Sequence, residues 1–201
     1  MKAKKTVKKT TKITNRTELK KTNYPELPFI SIGILPKNKG IYITLPFPPI
    51  SINEYKKMHF GLIKKTKQRY KAILDVMAIT YYRKDAIECF DMDGIYIKSL
   101  FETPIHIEWI LNHKLNRKRD TGNYTQKILL DAMVWIGLIK DDNEEYVLSD
   151  KVYFGHNGKD SITCLLLGDV FVARIKGDIP KVKLSDIYEN LGVKGELHDK
   201  G

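Results

Sequence analysis

Cysteine is nearly absent: the 201 residues hold only Cys89 and Cys164. Their separation fits no metal-ligand spacing, so both are expected to be reduced core thiols of an intracellular protein. Histidine is almost as scarce. His59, His106, His113, His156 and His198 are scattered, with no H-x-x-x-H and no Cys/His cluster. A zinc centre is therefore not expected. No apolar run reaches membrane-spanning length, and "ILL" is cut short by Asp131. A membrane partner is not expected. The first 22 residues contain neither the apolar stretch of a secretory signal nor the amphipathic periodicity of a transit peptide. No internal repeat is present.

Positive charge is what the chain has in excess. Formal net charge is +11 and the isoelectric point is near 9.4. A polyanionic partner follows, nucleic acid before an anionic membrane surface. Residues 1–22 carry nine Lys and Arg against Glu18 alone, a net +8, which leaves +3 for the remainder. Such a tail reads as a solvated, disordered arm. Its sharper reading is a non-specific phosphate contact with steep salt dependence. The hydrophobic fraction of 42% and charged fraction of 29% are those of a globular chain.

The pattern predicts one α+β domain over 29–175, after a basic tail at 1–28 and before a polar extension at 176–201. "FISIGIL" (29–35) and "GIYITLPF" (40–47) alternate as strands do. The prolines of "PFPPISINEYKK" predict an extended, non-helical exit. Apolar residues spaced three and four apart predict a helix from Thr66 to about Arg83. Residues 84–103 are irregular. "PIHIEWIL" (104–111) is a strand, and "NHKLNRKRDTG" a basic loop. The next helix is predicted to start with Asn123 as N-cap, Gln126 three residues on, and to end at Gly137. "EYVLSDKVYFG" and "SITCLLL" are strands. Asn157-Gly158 between them predicts a hairpin. "VFVARI" reads as one more short strand. The expected core is β-α-β-α-β-β, a mixed sheet packed by helices.

On a helical wheel Asn123, Lys127 and Asp131 share a polar stripe. Tyr124, Ile128, Ala132, Trp135 and Ile136 form the apolar sector beside it. Asp120 lies just upstream, and Asp141-Asp142 follow after a short turn. The doublet returns to this region only if the following strand pairs beside 104–111. Carboxylates with basic neighbours suit phosphodiester hydrolysis. A divalent metal neutralises charge on phosphorus, and Mg²⁺ takes few protein carboxylates. A lysine stabilises developing negative charge, and a basic loop grips the backbone. Lys114, Arg117, Lys118 and Arg119 are the candidates for that grip. The bland alternative is that these are caps and surface pairs, with Lys127 and Asp131 an ordinary i,i+4 pair.

These motifs in this order resemble the RusA family of Holliday junction resolvases, small homodimeric endonucleases common in phages and prophages. The family shows T/S-L-P-x-P-P followed by Asn and Tyr, here "ITLPFPPISINEY". Its D-x-D-N-x-x-K and "DAL" read here as "KRDTGNYTQKILLDAM", and its acidic doublet as "IKDDNEEYV". The match spans roughly residues 40–168. The resemblance implies a nuclease that resolves branched DNA using Mg²⁺ or Mn²⁺. Asp120 would match the first motif aspartate and Asp142 the catalytic one, with Asp141 before it. Lys127 would match the motif lysine, and Asp131 the helix aspartate in a supporting role. The departure is Gly122, which stands where the second motif aspartate falls. Asn123, one residue on, could supply a neutral oxygen in its place. Expected metal ligands are therefore Asp120, Asp142, Asn123 and Asp141. Expected partners are branched DNA and a second copy of the chain. Two rivals stand beside this reading: a RusA-like DNA-binding module that has lost cleavage, and a basic scaffold protein.

Overall fold

The computed structural model describes residues 31–81, 99–101, 103–114, 120–176 and 179–193. The basic tail, Cys89, nearly all of the 84–103 segment and the loop with Arg117, Lys118 and Arg119 lie outside them. Among the described residues five strands form one sheet: β1 (Ser31–Ile34), β2 (Gly40–Leu45), β3 (Ile105–Asn112), β4 (Val147–Gly155) and β5 (Ser161–Leu167). Among the described residues four helices accompany it: α1 (Ile52–Lys57), α2 (Phe60–Tyr81), α3 (Lys127–Trp135) and α4 (Leu184–Leu191). The class is α+β, a single domain on a mixed sheet.

Strand order is β1-β2-β5-β3-β4, antiparallel throughout except for the parallel pair β3 and β4. The sequence of β5, SITCLLL, is nearly all apolar and suits a strand covered on both faces. It sits at the centre of the sheet with its first six residues buried. The edge strand β4 carries the polar alternation. Because β3 lies between β4 and β5, the expected hairpin does not form. Gly158 does adopt the turn conformation, with φ +74°, but the turn connects strands separated by another. A local signal fixed the bend; the apolar content of β3 and β5 chose their neighbours.

One face of the sheet is covered by α2 and α3. Ile41, Ile43, Ile107, Trp109, Cys164 and Leu166 meet Ile73, Leu74, Met77, Leu129 and Met133 there. Truncating one such buried side chain to alanine costs about 2–5 kcal/mol. The opposite face is smaller. Residues read as a polar extension form α4, whose Ile187, Tyr188 and Leu191 cover Leu35, Ile110 and Leu165. The Tyr188 hydroxyl donates to Glu108 of β3. Burial, then that carboxylate, pushes the Tyr188 pKa upward.

Several local expectations are corrected. The prolines do keep 46–51 from forming helix, but Ile52–Lys57 is helical. Pro49, the last of them, ends too early to block it. Ser51 caps α1, its hydroxyl accepting from Glu54 N–H while the Glu54 carboxylate accepts from Ser51 N–H. α2 starts at Phe60, six residues before the expected Thr66. "VFVARI" is a 3-10 turn at Val172–Arg174 rather than a strand, flanked by isolated bridge residues at Val170, which pairs with Phe101, and at Ile175. Asn123 does not cap α3. Thr121–Asn123 form a 3-10 turn, and the helix begins at Lys127 behind Gln126. A tertiary contact overrides the local cap signal. Tyr124 bridges Ser51, and Thr125 N–H donates to Ile50 O at 3.1 Å. The helix end is as expected: Gly137 has φ +74°, and Leu138 N–H donates to Met133 O at 3.0 Å.

Candidate active site

The strand after the acidic doublet does pair beside 104–111. β3, α3 and β4 form a parallel crossover unit, with β4 paired along β3 from Ile105–Val147 to Asn112–Gly155 and one register shift between Ile105 and His106. α3 buries Ile128, Leu129, Ala132 and Met133 against the sheet. Its outer side keeps Lys127 and Asp131. The chain then turns at Gly137, buries Leu138 and Ile139, and presents Asp141 and Asp142 at the surface turn before β4.

This return brings Asp142 to Lys127. Lys127 Nζ lies 3.9 Å from Asp142 Oδ2 and 3.6 Å from Asp131 Oδ1. Asp131 Oδ2 also receives Lys67 of α2 at 3.0 Å. Two lysines and two carboxylates thus alternate in one partly exposed corner. Each pair alone, open to water, is worth about 0–1 kcal/mol. The arrangement therefore positions charge more than it stabilises the fold. Lys67 was not singled out in the sequence, because no spacing rule links it to Asp131 across 64 residues.

Asp141 is occupied locally. Its Oδ1 accepts from Asp142 N–H at 2.8 Å and its Oδ2 from Asn143 Nδ2 at 2.9 Å. It shapes the turn that carries Asp142. Asp120 likewise accepts from Gly122 N–H at 3.0 Å through Oδ1, and its carbonyl accepts from Asn123 N–H at 3.0 Å. It thus organises the Thr121–Asn123 turn, which lies alongside β4. Among the described residues, Asp120 and Asn123 make no ion pair or side-chain hydrogen bond with the Lys127 corner. A Cβ at position 122 would stand 3.5 Å from Asp120 Oδ1, an ordinary contact, so packing does not require the glycine. Lys114 follows β3, with its N–H donating to Asp160 Oδ1 at 2.8 Å.

Trp135 was expected in the apolar sector but is 54% exposed. The Lys67 and Lys71 ammonium groups stand 5.8 and 4.6 Å from its ring centre. On the other side, the proline-bearing segment meets the start of α3 through the Ser51–Tyr124 bridge. The Tyr124 ring packs 5.2 Å from His113 and 5.6 Å from Phe154. The proline motif and the Asp120–Lys127 motif, far apart in the sequence, are therefore neighbours.

The donors near the corner are oxygens only. Among the described residues no group of three His, Cys, Asp or Glu converges to hold a metal. Carboxylate oxygens such as those of Asp120 and Asp142 are the donor type that Mg²⁺ takes, one or two at a time with water completing its shell. No protein-family model matches the chain, and no curated protein matches it.

Proposed function

We propose that this chain is a metal-dependent endodeoxyribonuclease that cuts branched DNA, such as four-way junctions, in the manner of the RusA family it resembles. The observation that carries this reading is the return of Asp142 to within 3.9 Å of Lys127 across the β3-α3-β4 crossover. The two motif residues meet although 15 positions separate them in the chain. Asp142 and Asp120 would hold Mg²⁺ or Mn²⁺, with Asn123 as a neutral donor and Asp141 fixing the doublet. When bound, the ion neutralises charge on the phosphate and promotes ionisation of the attacking water. Lys127 stabilises negative charge developing on the phosphate oxygens. Asp131 holds Lys127 by its ion pair, and Lys67 balances the second Asp131 oxygen. Lys114, with Arg117, Lys118 and Arg119, grips the backbone upstream of Asp120, and the basic tail adds salt-sensitive contacts. A homodimer would present two such corners to opposed strands of a junction.

A second reading has its own observation. Gly122 stands where a second motif aspartate would supply charge, and no three-ligand cluster occurs among the described residues. This favours a junction-binding module without cleavage. The two are separated by incubating the chain with a four-way junction and with linear duplex, in Mg²⁺ or Mn²⁺, alongside Asp142→Asn. Metal-dependent cutting of the junction, lost in the variant, is the expected result. Tight junction binding without cutting under either metal contradicts the enzyme and supports the module.

A further inference from the structure

Residues 56–71 contain seven Lys or Arg and no Asp or Glu, while the rest of 23–201 is net acidic. The basic surplus of the folded body is thus concentrated in α1, the first half of α2 and the bend between them. Lys67, Arg69 and Lys71 have neighbours: Asp131, the Phe47 ring, and Asp75 with Trp135. Lys56, Lys57, Lys64 and Lys65 are exposed and make no ion pair with any described residue. Between these four lysines projects Phe60, 80% exposed, with Leu62 at 42%.

The bend is a built feature. Met58 N–H donates to Glu54 O at 3.1 Å and Tyr55 O at 3.0 Å, closing α1. His59 then starts α2, its carbonyl accepting from Leu62 N–H at 2.9 Å and its Nδ1 lying 3.3 Å from the same N–H. Phe60 is therefore presented from the first position of a long helix whose other side is anchored by Tyr70, Ile73, Leu74 and Met77. Along that helix, Phe60 stands roughly 10 Å from Lys67, whose ammonium contacts Asp131 of the candidate active site.

We propose that this α1–α2 elbow is a second nucleic-acid contact, separate from the 114–119 loop. Lys56, Lys57, Lys64 and Lys65 meet backbone phosphates, and Phe60 stacks on a base that is unpaired or unstacked. Four unpaired cations on an ordered surface complement a polyanion. An exposed aromatic ring among them supplies the sequence-tolerant stacking that flexible or unpaired bases offer. A second copy of the chain is the poorer occupant. A two-fold contact centred on Phe60 would press one lysine set against the other. One Phe and one Leu offer little apolar area to a bilayer. The proposal rests on the nucleic-acid reading above but not on cleavage.

The test is fluorescence anisotropy of the full chain in EDTA across a salt series. The probes are an intact duplex and a duplex of equal length with a three-nucleotide bulge. The combined variant Lys56→Gln, Lys57→Gln, Lys64→Gln and Lys65→Gln should bind both DNAs about tenfold or more weakly. Its log-log salt slope should shrink by roughly 3. Phe60→Ala should weaken binding to the bulged duplex about fivefold or more and leave the intact duplex unchanged; Phe60→Trp should restore it. If the combined variant has a lowered melting temperature, the pair Lys64→Gln and Lys65→Gln gives the same readout with a slope change of about half. An unchanged salt slope overturns the proposal. So does binding to phosphatidylserine vesicles, or dimerisation in sedimentation, that is lost in Phe60→Ala while DNA affinity stays the same. A chain that never cuts but loses salt slope on lysine removal refutes the nuclease alone. A chain that cuts normally with unchanged slope refutes the elbow alone.

Discussion

Two basic regions of this molecule are built differently. In the corner around α3, Lys127 and Lys67 face Asp131 and Asp142, and every N–O separation is 3.0–3.9 Å. At the α1–α2 elbow, Lys56, Lys57, Lys64 and Lys65 make no ion pair with a described carboxylate. Surface ion pairs contribute too little to be explained by stability. The paired set holds a geometry; the unpaired set leaves its charge available to a partner. The same residue type thus serves positioning in one place and attraction in the other, with Lys64 only about 5 Å from Lys67 along one helix.

The sharpest way to break this contrast is in the corner. Asp142→Asn should lower the rate of junction cleavage about 10²–10³-fold, the scale of losing one key electrostatic group. Its circular dichroism and melting should stay unchanged, because Asp142 lies in a surface turn. Lys127→Met should lower the cleavage rate about 10²-fold, with affinity for DNA in EDTA changed less than about threefold. A large affinity loss with an unaltered rate would make Lys127 a backbone contact like those at the elbow, erasing the distinction.

Smaller effects sharpen it. Ser51→Ala removes the cap of α1 and should cost about 1 kcal/mol in urea unfolding. Its pH dependence has a definite sign. The Ser51 N–H and hydroxyl hold the Glu54 carboxyl below its ordinary value of 4.5. A depressed folded-state pKa contributes stability above the unfolded value, which is lost as pH falls through the folded one. Ser51→Ala removes only the hydroxyl's share of that effect and keeps the backbone N–H, so the gap between wild type and Ser51→Ala should be largest at neutral pH and narrow, without closing, as pH falls below 4.5. Lys67→Met should have the least effect, under about 1 kcal/mol in stability, because Asp131 retains Lys127. A larger loss would mean that the corner, unlike the elbow, is part of the fold's support.

Much of the frame was legible in the residues. Alternation located β1, β2 and β3, and the apolar run of β5 matches its place at the centre of the sheet. The parallel pairing that returns Asp142 to Lys127 follows from a strand-helix-strand order. What stayed hidden depended on distant partners. Asn123 and Gln126 read as a helix start, but the Ser51–Tyr124 bridge ties down that stretch and moves the start to Lys127. Trp135 sits on an apolar stripe by spacing, yet it lies at the edge under Lys67 and Lys71, where α2 ends its cover. The α4 helix was missed because its apolar residues, Ile187, Tyr188 and Leu191, are few and spaced among charges. The elbow was hidden because Lys56 and Lys57 fell in the stretch read as a non-helical exit and Lys64 and Lys65 stood before the expected helix start at Thr66, and exposure is not written in spacing.

The central claim is that Asp120 and Asp142 act on one divalent cation beside Lys127. It is tested most directly by titrating Mn²⁺ into the full chain and counting free ion by electron paramagnetic resonance, for wild type, Asp120→Asn, Asp142→Asn and the double variant. The expected result is one site in the wild type, with each single substitution weakening it about tenfold or more and the double variant adding little. Singles that leave Mn²⁺ affinity unchanged, or losses that add fully in the double variant, would contradict it.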